Sequence, residues 1–321
     1  MATLPFNEGI VDFFFQLRQN DWAAPLTSFF QFLTFLGSST GYFILVLAIY
    51  WLFRKDIVYD LAVLLVATAL TNLALKELIR NPRPYVTDGT YRNKWGLRSP
   101  SEIEETARSF STPSGHAQTA STFFSYLAYK SKSRSHQIFF VLMILGIGIS
   151  RPYLGVHYLE DVILGWIIGL LITYIFIRYQ ETLPNLSFET NRLQKYFAFF
   201  IVTLGVSIGF GVVNNFGQAS QDITTFMGIL FGIMIGFDQE KQKLNFDSKA
   251  HSILNGLGRF VMGAVVAFTV LFGLDTAFAA IAEDNTLLGF LLRFIRYFSF
   301  GLVSTFVCPW LFIKLKLSKS L

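Results

Sequence analysis

Ten stretches of the chain are mostly apolar, at 23–37, 40–53, 57–79, 114–130, 136–152, 157–178, 194–216, 222–237, 258–281 and 287–313. None alternates apolar and polar residues with period two, so each reads as a helix rather than a strand. Most approach the ~20 residues that a helix needs to cross a bilayer. The first and eighth are short, and either can be re-entrant. The pattern predicts an all-α fold, a polytopic helical membrane protein. A six-span core is expected over 23–180, a linker over 181–193, and an accessory bundle of about four spans over 194–321. Ahead of the core, Phe6, Ile10, Phe13, Phe14 and Leu17 recur at helical spacing. They predict an interfacial helix within an amino-terminal segment 1–22, with a buried first turn of the bundle as the alternative. No Lys or Arg precedes Arg18, and Glu8 and Asp12 interrupt the apolar residues, so a cleavable signal is not expected.

Composition agrees with the pattern. Charged residues make up 15% of the 321, and Phe alone occurs 36 times, which suits lipid better than water. The net charge of +5 lies mostly in loops, so nucleic acid is not an expected partner. The single cysteine, Cys308, excludes an internal disulfide. Gly165 with Gly169, and Gly228 with Gly232 and Gly236, are spaced for close helix packing within one subunit. Homo-oligomerisation stays open.

The basic residues also orient the spans. Alternate short loops carry Arg54 and Lys55; Lys130, Lys132 and Arg134; Arg178, Arg192 and Lys195; Lys241, Lys243, Lys249 and Arg259; then Lys314, Lys316 and Lys319. The opposite loops carry Asp222, Glu283 and Asp284. Ten spans with both termini cytoplasmic fit this distribution. Arg293 and Arg296 sit awkwardly near the outer end of the last span. The outer segment 80–112 breaks the rule, with Arg80, Arg83, Arg92, Lys94, Arg98 and Arg108 balanced in part by Glu102, Glu104 and Glu105. Basic residues held on that side suit an anionic substrate, and a solvated loop is the plainer explanation.

Candidate chemistry collects at the same face. Lys76 ends the third span, and Arg83 lies between Pro82 and Pro84, which stiffen its backbone. Pro113, Ser114, Gly115 and His116 open the fourth span, where free N–H groups at a helix start bind phosphate. Arg151 closes the fifth and His157 opens the sixth. His157 and Asp161 are four apart, on one helix face, so the carboxylate can fix the imidazole tautomer and leave the other nitrogen to attack. Glu160 competes for that role. His116 can protonate a leaving alkoxide. Each residue also has a structural explanation: a snorkelling lysine, an N-cap serine, a helix-start ion pair. Together, three cations and two of the chain's four histidines form the inventory that phosphoryl transfer needs without a metal. The other two histidines, His136 and His251, fall in loops on the opposite side. No His-Glu-x-x-His pair supports a metal site, and three clustered cations disfavour one.

These segments resemble the type 2 phosphatidic acid phosphatase superfamily, the lipid phosphate phosphatases. That pattern is Lys-x6-Arg-Pro, Pro-Ser-Gly-His, then Ser-Arg-x5-His-x3-Asp. Here it is filled by Lys76, Arg83 and Pro84; by Pro113, Ser114, Gly115 and His116; and by Ser150, Arg151, His157 and Asp161. The resemblance covers about residues 20–180. A core followed by extra spans is similar in layout to the sphingosine-1-phosphate phosphatases. The resemblance implies that His157 forms a phosphohistidine and that His116 is the acid. It implies that Lys76, Arg83, Ser114, Gly115 and Arg151 hold the phosphoryl oxygens, with no metal or other cofactor. The expected partners are the bilayer and a lipid phosphate of phosphatidate, polyprenyl or sphingoid type. The expected site faces the periplasm, the cell exterior or a lumen, in a bacterial inner membrane or a eukaryotic endomembrane. Two rivals stay open: a lipid phosphotransferase using the same site, and a transporter that binds an anion without chemistry.

Overall fold

The structure, a computed structural model, describes residues 6, 8–84, 109–180, 192–213 and 215–321. Arg92, Lys94, Arg98 and Arg108, with Glu102, Glu104 and Glu105, lie outside these residues, as does 181–191 of the expected linker. The helices are α1 (Glu8–Arg18), α2 (Ala24–Leu36), α3 (Ser39–Leu52), α4 (Val58–Ile79), α5 (Gly115–Lys130), α6 (Arg134–Tyr153), α7 (Leu159–Tyr179), α8 (Arg192–Val213), α9 (Gln218–Lys243), α10 (Ile253–Ala279), α11 (Leu287–Leu302) and α12 (Cys308–Lys314). A π-helical turn, Val303–Val307, runs α11 into α12. Each apolar stretch of the sequence has become a helix. Among the described residues, seven helices are long and apolar enough to cross a membrane, counting the last run from Leu287 to Lys314 as one. The helical segments Asp21–Leu36 and Ser39–Leu52 bend by 66° at Gly37–Ser38, as a broken span or a re-entrant loop does. Helix α5, with 16 residues, is shorter than α4, α6 and α7.

By contact the chain forms two compact units. One holds Met1–Tyr42 with Ala67–Thr182, and the other holds Phe43–Val66 with Leu183–Leu321. In the first unit α5 lies directly on α7, because α7 offers no side chain at the crossing. A Cβ on Gly165 would come within 2.8 Å of the Ser114 carbonyl, and one on Gly169 would collide with the Gln118 carbonyl. Polar side chains then close the same interface: Ser121 donates to the Trp166 carbonyl at 2.9 Å, and Thr173 to the Thr122 carbonyl at 3.1 Å. In a bilayer such bonds satisfy groups that lipid cannot.

Helix α1 buries Val11 against Tyr153, Leu154, Val156 and Tyr158, with Phe6, Phe14 and Leu17 around it. Its apolar face therefore covers the α6–α7 connection that carries His157. Thr27 of α2 bonds Tyr153 at 2.8 Å, while Thr34 bonds Ser150 at 2.7 Å, so α2 descends from that end. This corrects the expected topology: the amino-terminal helices lie at the end of this unit that bears the motifs, not at the opposite end. Charge counting missed it because α1 and α2 carry only one basic residue, Arg18.

In the second unit Gly228, Gly232 and Gly236 seat α9 against α11 and the π turn, meeting backbone at Phe294 and Phe298 and the Thr305 side chain. Arg259, expected in a solvated loop, is fully buried in α10. Its guanidinium donates to the carbonyls of Leu317 at 2.8 Å and Asp247 at 2.8 Å, tying the chain after α12 to the α9–α10 connection. Arg293 pairs with Asp284 at 2.5 Å, and Arg296 with Asp275. These carboxylates explain how two arginines fit within α11.

Substituting Gly169 with alanine should force α5 and α7 apart and cost about 1–3 kcal/mol of stability. Gly205 on α8 faces open space, so Gly205→Ala should cost nothing. Thermal unfolding of the two variants in detergent checks this, and equal melting temperatures would refute the packing argument.

Candidate active site

His157 is placed by a tight connection. Helix α6 ends in Pro152–Tyr153, and Gly155 turns the chain at φ 77°, a conformation that glycine adopts without strain. His157 follows, two residues ahead of α7. Asp161 sits at the third position of α7 and reaches back to accept the Tyr158 N–H at 2.9 Å. A carboxylate there caps the helix and meets its positive end. The same Oδ2 lies 3.2 Å from His157 Nδ1. The four-residue spacing thus works through a capping turn, with His157 outside the helix proper.

The other ring nitrogen defines the tautomer. Arg83 Nη1 lies 3.2 Å from His157 Nε2. A guanidinium only donates, so Nε2 presents its lone pair and Nδ1 carries the proton toward Asp161. Both His157 and Asp161 are buried. Burial first, then the charges of Arg83, Arg151 and Lys76, hold the imidazole pKa well below its usual range. The ring is therefore neutral with a lone pair aimed among cations.

Each of those cations has a neutral partner among the described residues. Arg83 donates from Nε to the Ser109 carbonyl at 2.7 Å and from Nη1 to the Val156 carbonyl at 3.0 Å. Lys76 donates to Ser109 Oγ at 2.7 Å. Arg151 donates to Thr34 Oγ1 at 3.2 Å. These contacts orient the three charges. His116 lies in the combined field of Arg151, His157, Lys76 and Arg83. A Cβ on Gly37 would come within 3.2 Å of the His116 ring, so the α2–α3 bend forms one wall beside that ring.

Ser114 caps α5 without a side-chain capping bond. Its N–H donates to the Asp161 carbonyl at 3.0 Å, which joins the starts of α5 and α7. Its hydroxyl is fully buried and makes no hydrogen bond within the described residues. A buried hydroxyl in that state suits an absent oxyanion. Asn72 backs the turn, donating to the Pro113 carbonyl at 3.2 Å and to Gln118 at 2.8 Å.

The predicted residues Lys76, Arg83, Ser114, Arg151, His157 and Asp161 thus converge, with Gly115 and His116 opening α5 beside them. Sequence reading overlooked Asn81, Ser109, Ser111 and Thr112. Ser111 donates to Asp161 Oδ2 at 2.5 Å, and Thr112 to Oδ1 at 2.5 Å. The available signal was the run of hydroxyl residues in Ser109-Phe110-Ser111-Thr112, directly before the Pro113–His116 turn.

With this geometry in view, the comparisons are concordant. The model of the PAP2 superfamily matches residues 57–185, and that of the PAP2 superfamily phosphatase, transmembrane extension, matches residues 224–320. The chain belongs to the PAP2 superfamily. Phosphatidylglycerophosphatase B of Bacillus subtilis (strain 168) is 31% identical over 126 residues, 36% of this chain and 54% of that protein. The chain thus matches about half the length of that relative. The crystal structure of the first transmembrane PAP2 type phosphatidylglycerolphosphate phosphatase from Bacillus subtilis aligns over 55% of this chain and 84% of that one, at 26% identity and a TM-score of 0.43.

The tautomer gives a direct test. In nitrogen-labelled protein, the His157 resonances, assigned by their loss in His157→Ala, should keep neutral Nδ1–H positions around pH 6, below the usual imidazole pKa of about 6.5. Imidazolium shifts at that pH would contradict the geometry.

Proposed function

We propose that this chain is an integral-membrane phosphatase that hydrolyses a lipid phosphate through a phosphohistidine on His157. The observation that carries the reading is a buried imidazole with Nδ1 3.2 Å from Asp161 and Nε2 3.2 Å from Arg83. Lys76, Arg83, Ser114, Gly115 and Arg151 hold the phosphoryl oxygens. Binding draws Arg83 from Nε2 onto those oxygens, which frees the lone pair. The phosphate's negative charge offsets the surrounding cations, so His116 takes up a proton as substrate binds. His157 Nε2 then attacks phosphorus, the P–O ester bond breaks, and the protonated His116 delivers that proton to the leaving alkoxide. A water then loses a proton to His116 and attacks phosphorus. The P–N bond breaks, inorganic phosphate leaves, and both histidines return to their first state. Catalysis comes from positioning and from charge placed before the reaction starts.

Membership of the PAP2 superfamily and the similarity to a phosphatidylglycerophosphatase support a lipid phosphate monoester as substrate. A lipid can keep its chain in the bilayer while its phosphate meets a site at the ends of spans. The site faces the periplasm, the cell exterior or a lumen. Lys130, Lys132, Arg134 and Arg178, at the end of the first unit away from His157, support this orientation.

His157→Ala should lower turnover by a factor of about a thousand or more, because no neighbouring group replaces the nucleophile. Wild-type protein quenched with labelled long-chain lipid phosphate should carry acid-labile phosphate on His157 and release free phosphate. Transfer of the label to a second lipid in its place would favour the phosphotransferase.

Sidedness has its own check. In a Cys308→Ala background, cysteine at Asp21 should react with an impermeant reagent outside sealed right-side-out vesicles, and cysteine at Lys132 should be protected. The reverse pattern would turn the site to the cytoplasm.

A further inference from the structure

Asp161 is fully buried, and its two oxygens receive four hydrogen bonds. Two come from the backbone of Tyr158 and the ring of His157. The other two come from Ser111 and Thr112, whose side chains are also buried. Each hydroxyl has a single proton, and each spends it on the carboxylate. Thr112 Oγ1 in turn accepts from Asn81 Nδ2 at 3.1 Å, and the Ser111 N–H donates to the Asn81 carbonyl at 2.8 Å. Asn81 lies two residues before Arg83. A polarised chain thus runs from the Lys76–Arg83 segment through the hydroxyl pair to Asp161 and on to His157. None of the three residues contacts Nε2, so they act through others.

Their chemistry matters most at one step. Once Nε2 carries phosphorus, the ring is cationic and its Nδ1 proton is acidic, with a buried carboxylate 3.2 Å away. If that proton moved to Asp161, cleavage of the P–N bond would expel an imidazolate, a far more basic leaving group than neutral imidazole. Hydroxyl donors on both oxygens favour the ionised carboxylate and oppose the transfer. The first step has no such need, because a more basic carboxylate would only assist attack.

We propose that Ser111 and Thr112, braced by Asn81, are positioning residues that keep the Nδ1 proton on His157 and so protect breakdown of the phosphohistidine. The proposal rests on the phosphohistidine reading above. In the step concerned, a water oxygen bonds phosphorus, its proton goes to His116, and the P–N electron pair returns to Nε2 of a ring that still holds its Nδ1 proton.

The test uses full-length protein and a long-chain lipid phosphate, with Thr112→Val, Ser111→Ala and Thr112→Ser. The first two should lower kcat about tenfold, the scale of one hydrogen bond to a charged group. KM should fall with kcat, and acid-labile phosphoenzyme should accumulate in the steady state. Thr112→Ser, which keeps the hydroxyl, should behave like the wild type. A purely structural role predicts less phosphoenzyme, not more. Proportionate loss of both steps without accumulation, or a serine variant as impaired as the valine one, would overturn the proposal. Either Ser111→Ala or Thr112→Val suffices if the other fails to fold. Wild-type turnover without any acid-labile phosphoenzyme would remove the parent reading as well, and the wild-type lane alone shows which has failed.

Discussion

A carboxylate with no exposed surface must find a donor for each lone pair it would otherwise show to water. Asp161 finds them in the Tyr158 backbone, the His157 ring and two hydroxyls from a segment some fifty residues earlier. Its own carbonyl accepts the Ser114 N–H, so one residue fixes the starts of two helices. The rest of the site is arranged around that requirement. His157 takes its tautomer from it, and Arg83 then meets the free nitrogen. Loss of the carboxylate would leave several buried donors unsatisfied at once, so its structural and chemical roles are one role.

The cations show the complementary principle. Among the described residues, carbonyls and hydroxyls orient Lys76, Arg83 and Arg151, and a neutral partner can aim a charge. Arg259 in the second unit uses the same kind of partner for another end. Its carbonyl contacts fasten a carboxy-terminal segment to a helix connection. Arg293 and Arg296 instead take carboxylates, which is what an arginine without an anion to bind needs in a membrane.

Much of this was legible in the sequence, because apolar runs and fixed-spacing motifs report local geometry. The helices were, and so were Lys76, Arg83, Ser114, His116, Arg151, His157 and Asp161 as one constellation. The His157–Asp161 spacing was read correctly, although the contact uses a capping turn and not a continuous helix. Serine and threonine before a turn carry no periodic signal, so Ser109, Ser111 and Thr112 stayed silent until folding set them against Asp161, Lys76 and Arg83. Asn81 was hidden inside a motif valued for its cations. Arg259 was misplaced because a charge near a helix start reads as solvated, while its partners are backbone atoms that no sequence displays. The position of α1 was missed for a related reason: its contacts are aromatic, and the charge rule does not weigh them.

Helix α5 carries His116 in its first turn and buries much of its length against its neighbours. The Gly165–Gly169 crossing prevents it from sliding along α7. The position of that histidine relative to the His157 connection is therefore a matter of register between two helices. A slip of one turn, about 5.4 Å, would carry the ring away from the cations gathered at the other helix ends. Two glycines with no chemistry of their own thus act as the rack that holds the chemistry at one height.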